Sequence, residues 1–462
     1  MVIQPFEQAN QLNEQGHYKE ALALYDQVLT QNHYNPHLLA AMGTILAREQ
    51  ETMGLAITLL HLAIDKMPKK DKVPQEYYAN LALAYRQSGQ QDKSIENLER
   101  ALKIEKTAGT LTNYGNAFIE VGNPHKAIDA LTEAITLDPS IDLTHYNLGL
   151  ALLETGQWDR AWDEYEHGEV PGGMRMERTY GNVPKWKGPI EEPGKKVCIY
   201  GEQGIGDEIM FASVLPDVLK TNEVIFDCHP RLIKLFEKSF PTVKCYPTRK
   251  EAELFWPDAD PLECRFAIGS LGKFYRRSRA AFPGTPYLKA DPLLPKGRKL
   301  RVGISWTGGR STQRISRRTV PLSWWPSILS NDCEFVSLQY TDCEEEIKVV
   351  EQKQGFTIHQ YPEAKDLDYY KTAQLVASCD LVISVCTSII HLAGALGVPC
   401  WVMVPKKAAW RYQASGPMPF YRSVRLYRQP EHGESAWIDV VSKIGFDLSN
   451  LVAESMDKRK AA

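Results

Sequence analysis

Residues 196–216, KVCIYGEQGIGDEIMFASVLP, decide how the second part of this chain folds. A β-prone segment ends at Tyr200, and an apolar pattern with helical spacing begins at Ile209. The turn between them contains three glycines, Gly201, Gly204 and Gly206. The stretch therefore predicts a strand, a loop whose backbone approaches a ligand closely, and a helix. Asp207 lies at the start of that helix, beside N–H groups that have no helical partners.

The composition sets outer limits on the class of protein. With 462 residues, of which 43% are hydrophobic and 24% are charged, the chain is expected to form several soluble globular domains. A formal net charge of −3 argues against a general binder of nucleic acids or membrane surfaces. No apolar run approaches the roughly 20 residues of a membrane span, and the N-terminus lacks the features of a signal peptide.

The cysteines indicate the compartment. All nine lie between Cys198 and Cys400, and no two form a CxxC pair. A scattered, odd-numbered set favours reduced thiols over a disulfide framework or a zinc site. We therefore expect a cytoplasmic protein.

Small residues recur in register through the first third of the chain, at spacings of 33 and then 34 residues. The four series are Ala82, Gly115 and Gly149; Gly89, Gly122 and Gly156; Ser94, Ala127 and Ala161; and Ala101, Ala134 and Gly168. Small side chains let paired helices approach each other, and a glycine turns the chain between them. Two looser copies precede them, and residues 2–168 together resemble the tetratricopeptide repeat family. An all-α superhelix is therefore predicted over residues 1–168.

Two interpretations of the repeats remain. They either stack only to stiffen the protein, or hold a peptide or partner protein on their concave face. We favour the second interpretation, although no residue identifies the partner or the oligomeric state.

Residues 169–195 are rich in proline and glycine, so a linker is expected, with Tyr180 and Trp186 anchoring it to the repeats or to the following domain. After it, strand and helix patterns alternate in two blocks, 196–290 and 291–462. This alternation predicts parallel sheets with helices on both faces. The blocks are expected to form two Rossmann-like domains that face one ligand cleft at the carboxyl ends of their strands.

The second block contains the sharper ligand site, within DLVISVCTSIIHLAGALGVPCWVMV at 380–404. A buried strand is followed at once by Thr387, Ser388 and a helix. The free N–H groups and the dipole of that helix suit a diphosphate, with the two hydroxyls and His391 as further donors. The alternative is that Thr387 or Ser388 is an ordinary N-cap and that His391 is a core histidine.

Six segments together carry a second family resemblance. They are GEQGIGDEIMFASVLP at 201–216, RVGISWTGG at 301–309, FVSLQ at 335–339, the 380–405 stretch, WRY at 410–412 and MPFYRSVRLYRQ at 418–429. With the repeats, they resemble bacterial tetratricopeptide-repeat glycosyltransferases over residues 1 to about 445. The catalytic region of that family is similar to heptosyltransferases and more distantly to protein O-GlcNAc transferases.

This resemblance implies a GT-B fold and inverting transfer of a hexose or heptose from a nucleotide-diphosphate sugar, with no metal and no separate cofactor. Asp207 matches the position of the catalytic aspartate and would act as the base, although it could instead cap its helix. Thr387, Ser388 and His391 match positions that hold the donor diphosphate. The loop after RVGISWTGG would supply phosphate-neutralising cations from Arg310, Arg314, Arg317 and Arg318.

Five further residues have open roles. Glu344 or Glu345 either bonds ribose hydroxyls or begins an exposed helix. Trp410 or Tyr412 either stacks on a base or sugar or packs at the domain edge. Cys386 stands where related sequences often have an aspartate, so no role is assigned to it.

The leading hypothesis is a glycosyltransferase whose repeats present a protein or glycan acceptor. The second is a repeat scaffold with an inactive transferase domain, which the Cys386 substitution makes possible. The third is a dinucleotide oxidoreductase, because Asp227 follows Gly204-x-Gly206 by about twenty residues. Ile209 replaces the third glycine of that fingerprint, so this hypothesis ranks last.

Overall fold

The computed structural model describes residues 3–31, 35–68, 72–171, 173–248, 256, 260–308, 318–433 and 435–460. The chain divides into two compact units, Met1–Ala151 and Leu152–Ala462. None of the described helices is long and apolar enough to cross a membrane.

The first unit is built from helices that pack in successive pairs. The helices are α1 (Ile3–Glu14), α2 (Tyr18–Gln31), α3 (Pro36–Leu46), α4 (Met53–Asp65), α5 (Gln75–Gln87), α6 (Gln91–Ile104), α7 (Ala108–Val121), α8 (Pro124–Leu137) and α9 (Asp142–Glu154), which ends in the second unit. The periodic alanines Ala82, Ala127 and Ala134 are fully buried, as expected for small residues between paired helices. The helical repeat architecture predicted for this region is confirmed.

Two kinds of glycine make this pairing possible. Gly115 in α7 lies so close to α8 that a Cβ atom there would be 2.5 Å from Cγ of Leu131. The turn glycines of the repeats have positive φ angles between 76° and 82°, which side chains of L-residues rarely allow: Gly16, Gly89, Gly122 and Gly156.

The contact of Gly115 predicts the effect of adding a methyl group. Gly115→Ala should lower the free energy of unfolding of α7 and α8 by about 1–3 kcal/mol, because Leu131 must move. Gly109→Ala in the same helix is the matched control, since its Cβ would meet open space, and it should be neutral or stabilising by about 0.5–1 kcal/mol. Hydrogen–deuterium exchange of the full chain measures both. Equal exchange in the two variants would show that Gly115 is not a packing constraint.

The second unit begins with the end of α9 and α10 (Trp158–Glu166), followed by a four-stranded parallel sheet. Its strand order is β3-β2-β1-β4. The strands are β1 (Lys196–Tyr200), β2 (Glu223–Asp227), β3 (Lys244–Tyr246) and β4 (Cys264–Ala267). The accompanying helices are α11 (Ile205–Phe211), α12 (Leu215–Val218), α13 (Ile233–Ser239) and α14 (Gly272–Tyr275).

A six-stranded parallel sheet follows, in the order β10-β9-β8-β5-β6-β7. Its strands are β5 (Leu300–Ser305), β6 (Cys333–Ser337), β7 (Ile358–Gln360), β8 (Leu381–Val385), β9 (Cys400–Val404) and β10 (Val424–Arg428). The helices are α15 (Pro326–Leu329), α16 (Glu344–Gln354), α17 (Tyr369–Ala377), α18 (Ser388–Leu396) and α19 (Ser435–Lys460). Strand β8 is buried along its whole length, as expected for a central parallel strand.

The predicted α/β region with two parallel sheets is therefore confirmed, whereas the specific GT-B arrangement stays a prediction. The described part of 169–195 forms isolated bridges but no helix or strand. Tyr180 and Trp186 anchor it to the first sheet: the Tyr180 hydroxyl donates to Asp227 at 2.7 Å, and the Trp186 N–H donates to the Arg265 carbonyl at 2.9 Å. The predicted domain limits at residues 168, 195 and 290 stay predictions.

Candidate functional site

Helices α11 and α18 meet where each begins. Each helix follows the carboxyl end of a central strand, β1 in the first sheet and β8 in the second. A Cβ atom on Gly206 would lie 3.2 Å from both the His391 ring and the Ser388 Cα atom. Glycine at this position therefore allows close approach, and it brings the neighbouring Asp207 to the N-terminal end of α18.

Asp207 forms an ion pair with Arg411, which lies in the short 3-10 turn Trp410–Tyr412 after β9. A guanidinium Nη2 donates to Asp207 Oδ1, and Oδ2 accepts no hydrogen bond from the described residues. Burial, the largest single effect, acts to lower the pKa of Arg411. The charge and hydrogen bond of Asp207, together with the effects of Tyr412 and Tyr165, outweigh burial, so this pKa is raised. The Arg411 Nε atom is buried and has no hydrogen-bond partner in the described chain. Arg411 is thus a charged group with spare hydrogen-bonding capacity.

The N-terminus of α18 has an ordinary cap. Thr387 is its N-cap residue, and its hydroxyl accepts from the Ile389 N–H at 3.3 Å. The Ser388 hydroxyl accepts from the Tyr369 hydroxyl at 2.9 Å. The capping alternative is therefore observed for Thr387, and the remaining unpaired N–H groups and the helix dipole still favour an anion.

His391 lies inside the protein, 4% exposed. Its Nδ1 atom is 3.3 Å from the Tyr421 hydroxyl, and its ring lies beside Tyr412. Burial, assisted by the charge of Arg411, lowers the pKa of His391 well below its ordinary value of 6.5. The imidazole is therefore neutral near pH 7 and donates one N–H.

This lowered pKa predicts a specific pH dependence. Below pH 6.5 the unfolded chain binds a proton at His391 that the folded chain does not bind, so the folded state loses stability as the pH falls. Between pH 7.5 and pH 5.5 the wild type should lose about 1.4 kcal/mol more than His391→Gln. Urea unfolding followed by tryptophan fluorescence measures the difference. His432→Gln, at an exposed histidine, is the control and should behave as wild type; equal pH slopes for all three proteins would contradict the expectation.

The Cys386 thiol follows β8, and the charges of three arginines act on its pKa. Burial raises the pKa of Cys386 to about 11, against the opposing effects of the Tyr412 hydroxyl and of the charges on Arg318, Arg411 and Arg428. The thiol is therefore uncharged. Arg428 donates to the carbonyls of Tyr412, Gln413 and Gly416. The structure thus gathers cations around a neutral thiol, where an aspartate would have added a negative charge.

The other predicted positions are placed as follows. Gly204 is the exposed N-cap residue of α11. Glu344 is exposed at the start of α16. Glu346, in the same turn, accepts from the Trp306 indole at 2.8 Å and from the Leu322 N–H at 3.2 Å. Arg310, Arg314 and Arg317 lie outside the described residues.

Trp410 is packed rather than open, with 8% of its surface exposed. Its neighbours are aromatic rings 6.0 to 6.3 Å away between centroids, from Trp162, Tyr165, Phe211 and Phe420. This is the packing alternative, and stacking on a base would require the ring to be uncovered.

Sequence reasoning did not find the groups that complete the site. Arg411 and Tyr421 fall within the quoted segments 410–412 and 418–429, but neither was given a role. Tyr165 falls within the predicted repeats. The Tyr165 hydroxyl accepts at 2.9 Å from the side-chain amide of Gln203, which lies in the loop before α11. The glycine at position 394 was a sequence signal that another group packs closely against α18. In the structure that group is Tyr421, whose ring would be 2.4 Å from a Cβ atom on Gly394.

The carboxylate of Asp227 is fully buried. It is bound by Tyr180 at 2.7 Å, by Thr248 at 3.1 Å and by Arg178 at 3.0 Å. A ribose hydroxyl cannot reach it without displacing these partners, so the placement gives no support to a dinucleotide site.

Comparisons with known proteins confirm the class of the repeat region. Models of the tetratricopeptide repeat match residues 75–107 and 114–172, so this chain contains tetratricopeptide repeats. Protein FlbA from Caulobacter vibrioides is 28% identical over 437 residues, covering 81% of this chain and 72% of FlbA. The human tetratricopeptide repeat protein 6 is 28% identical over 159 residues, or 34% of this chain, and this chain spans only 30% of that relative.

Two of the matching solved structures each cover about a third of the chain. The crystal structure of MamA protein has a TM-score of 0.31 and 21% identity, covering 36% of this chain and 88% of MamA. A thermophilic tetratricopeptide repeat protein in Thermus thermophilus has a TM-score of 0.29 and 23% identity, with the same two coverages.

Proposed function

We propose that this protein is an inverting, metal-independent glycosyltransferase that moves a sugar from a nucleotide-diphosphate donor to a protein or glycan acceptor recruited by its repeats. One observation carries the proposal: Asp207, from the first sheet, is ion-paired with Arg411 beside the N-terminus of α18 and the neutral His391. A carboxylate base and an anion-binding helix end are the two groups that glycosyl transfer requires.

The proposed reaction is a single displacement. An acceptor oxygen forms a bond to the anomeric carbon while the bond from that carbon to the diphosphate oxygen breaks. The acceptor proton passes to the Asp207 carboxylate, and the electron pair of the broken bond stays on the diphosphate. The N–H groups of α18 and the arginine cations stabilise the developing negative charge. Attack opposite the leaving group inverts the configuration of the sugar.

Arg411 gives this scheme an order of binding. With Oδ1 occupied by the guanidinium, one of the two Asp207 oxygens is unavailable for the acceptor proton. A donor diphosphate would compete for the same guanidinium, because planar guanidinium groups bind phosphate oxygens strongly. Transfer of Arg411 from Asp207 to a phosphate would leave both carboxylate oxygens available. We therefore infer that the donor binds before the acceptor is activated.

The repeats indicate a protein partner, and the end of α9 contacts the loop that contains Arg411. Glu154 forms a salt bridge with Lys407 at 2.8 Å, and the Leu153 carbonyl accepts from the Gln413 amide at 2.8 Å. Gln413 has a φ angle of 59°, a backbone conformation that side chains disfavour. These contacts support a role for the end of α9 in holding the Arg411 loop.

The test of the base is Asp207→Asn. Transfer of label from a panel of nucleotide sugars to cellular acceptor proteins, measured with EDTA present, should fall by about 10²–10⁴-fold, because no carboxylate accepts the proton. Donor affinity measured by calorimetry should be equal or tighter, since Arg411 is released from its ion pair. Asp439→Asn, at an exposed acid in α19, should leave both quantities unchanged. Full transfer by Asp207→Asn would exclude Asp207 as the base.

A repeat scaffold without transfer activity is the competing function. Its support is that Asp207 is already paired and that Trp410 offers no open ring. Thermal unfolding in the presence of nucleotide sugars separates the two: the transferase is stabilised by at least one donor, and the scaffold is stabilised by none.

A further inference from the structure

A cavity of about 560 Å³ lies beside the connector, residues 282–287, which follows the elements of the first sheet and precedes the second. Its other lining residues belong to segments 213–220 and 239–242, with Arg276 and Phe420. None of the groups assigned to the proposed transfer reaction lines this cavity. Its volume is within the range of small-molecule sites.

Two buried donors in the cavity lining are unsatisfied. Arg276 is 3% exposed, and it uses Nη1 to bind Asp217 at 2.8 Å and Nη2 to bind the Ser213 carbonyl at 2.9 Å. Its Nε atom has no hydrogen-bond partner among the described residues, and neither has the Ser213 hydroxyl. A buried donor without a partner is unfavourable, so oxygen acceptors on a ligand would be stabilised here.

The charges favour an anion among the possible acceptors. Lys220 also lines the cavity, and its side chain, 71% exposed, binds the same Asp217 carboxylate at 2.7 Å. The lining therefore contains two cations and one carboxylate, which leaves an excess of positive charge. The lining also contains the aromatic rings of Phe240, Phe282 and Phe420, and the Arg276 guanidinium lies 6.0 Å from the centroid of the Phe282 ring.

We propose that this cavity binds a small organic anion, with a carboxylate or phosphate group bound by Arg276, Ser213 and Lys220 and a ring against the aromatic walls. The site is separate from the proposed transfer site and does not depend on that proposal.

The connector links the cavity to helices α11 and α18. Tyr287 lines the cavity, and its hydroxyl donates to the Ile209 carbonyl of α11 at 2.6 Å. The Tyr287 N–H donates to the Ala395 carbonyl of α18 at 2.9 Å. One lining residue thus bonds to both helices that meet at Gly206. A bound anion would therefore lie beside a residue that is hydrogen-bonded to both α11 and α18.

Calorimetry with phenyl phosphate, using benzyl alcohol as the uncharged probe, tests the site in the full chain. Phenyl phosphate should bind at least tenfold more tightly than benzyl alcohol, because only the phosphate reaches the cations. Lys220→Glu should weaken phenyl phosphate at least tenfold, and Thr242→Trp, which fills the cavity rim, should abolish the same binding event. Lys353→Glu, at an exposed lysine in α16, is the matched control and should bind as wild type.

Both test positions are exposed, so circular dichroism should show wild-type folding. Absence of phenyl phosphate binding in the wild type would overturn the inference. So would a titration that is unchanged in Lys220→Glu and Thr242→Trp, because the phosphate would then bind elsewhere.

Discussion

The ion pair between Asp207 and Arg411 joins the two sheets of the second unit at the point where α11 and α18 approach each other. Its geometry depends on Gly206, because any side chain there would press against Ser388 and His391. The Arg411 and Asp207 side chains are only 16% and 23% exposed, and this partial burial strengthens the attraction between their charges. The carboxylate alone is an ordinary acid in the first turn of a helix. Paired with a cation from the other sheet, it becomes part of a site that neither sheet could form separately.

The cationic side of this site is unusual because Cys386 contributes no charge. Its thiol is held protonated by burial, so the nearby arginines have fewer negative partners than an aspartate at that position would provide. The excess positive charge is suited to an anionic ligand at the start of α18. Near the start of α18, the buried side chains of Tyr412, Tyr421 and His391 form a largely neutral wall. Such a wall orients a ligand by hydrogen bonds without competing for its negative charge.

Local patterns predicted most of the architecture, because helix pairing and strand burial depend on residues that are close together in the sequence. The 33- and 34-residue register of small residues predicted the helix pairs, and the glycine turn after Tyr200 predicted β1 and α11. Asp207, Ser388 and His391 were named from the sequence, and the structure brings them together at Gly206, while their roles stay predictions. The pairing of Asp207 with Arg411 was not predictable, because it joins residues 204 positions apart through tertiary packing. The same applies to Trp410, whose burial depends on rings from α10 and α11, and to Glu346, whose carboxylate accepts from the Trp306 indole 40 positions earlier.

A crystal structure of the full chain with a bound nucleoside diphosphate tests the central claim most directly. The account predicts that the diphosphate lies at the first turn of α18, within hydrogen-bond distance of its backbone N–H groups, and that the Arg411 guanidinium has moved from Asp207 to a phosphate oxygen. A nucleotide bound away from α18, or bound there with the Asp207–Arg411 ion pair intact, would contradict it.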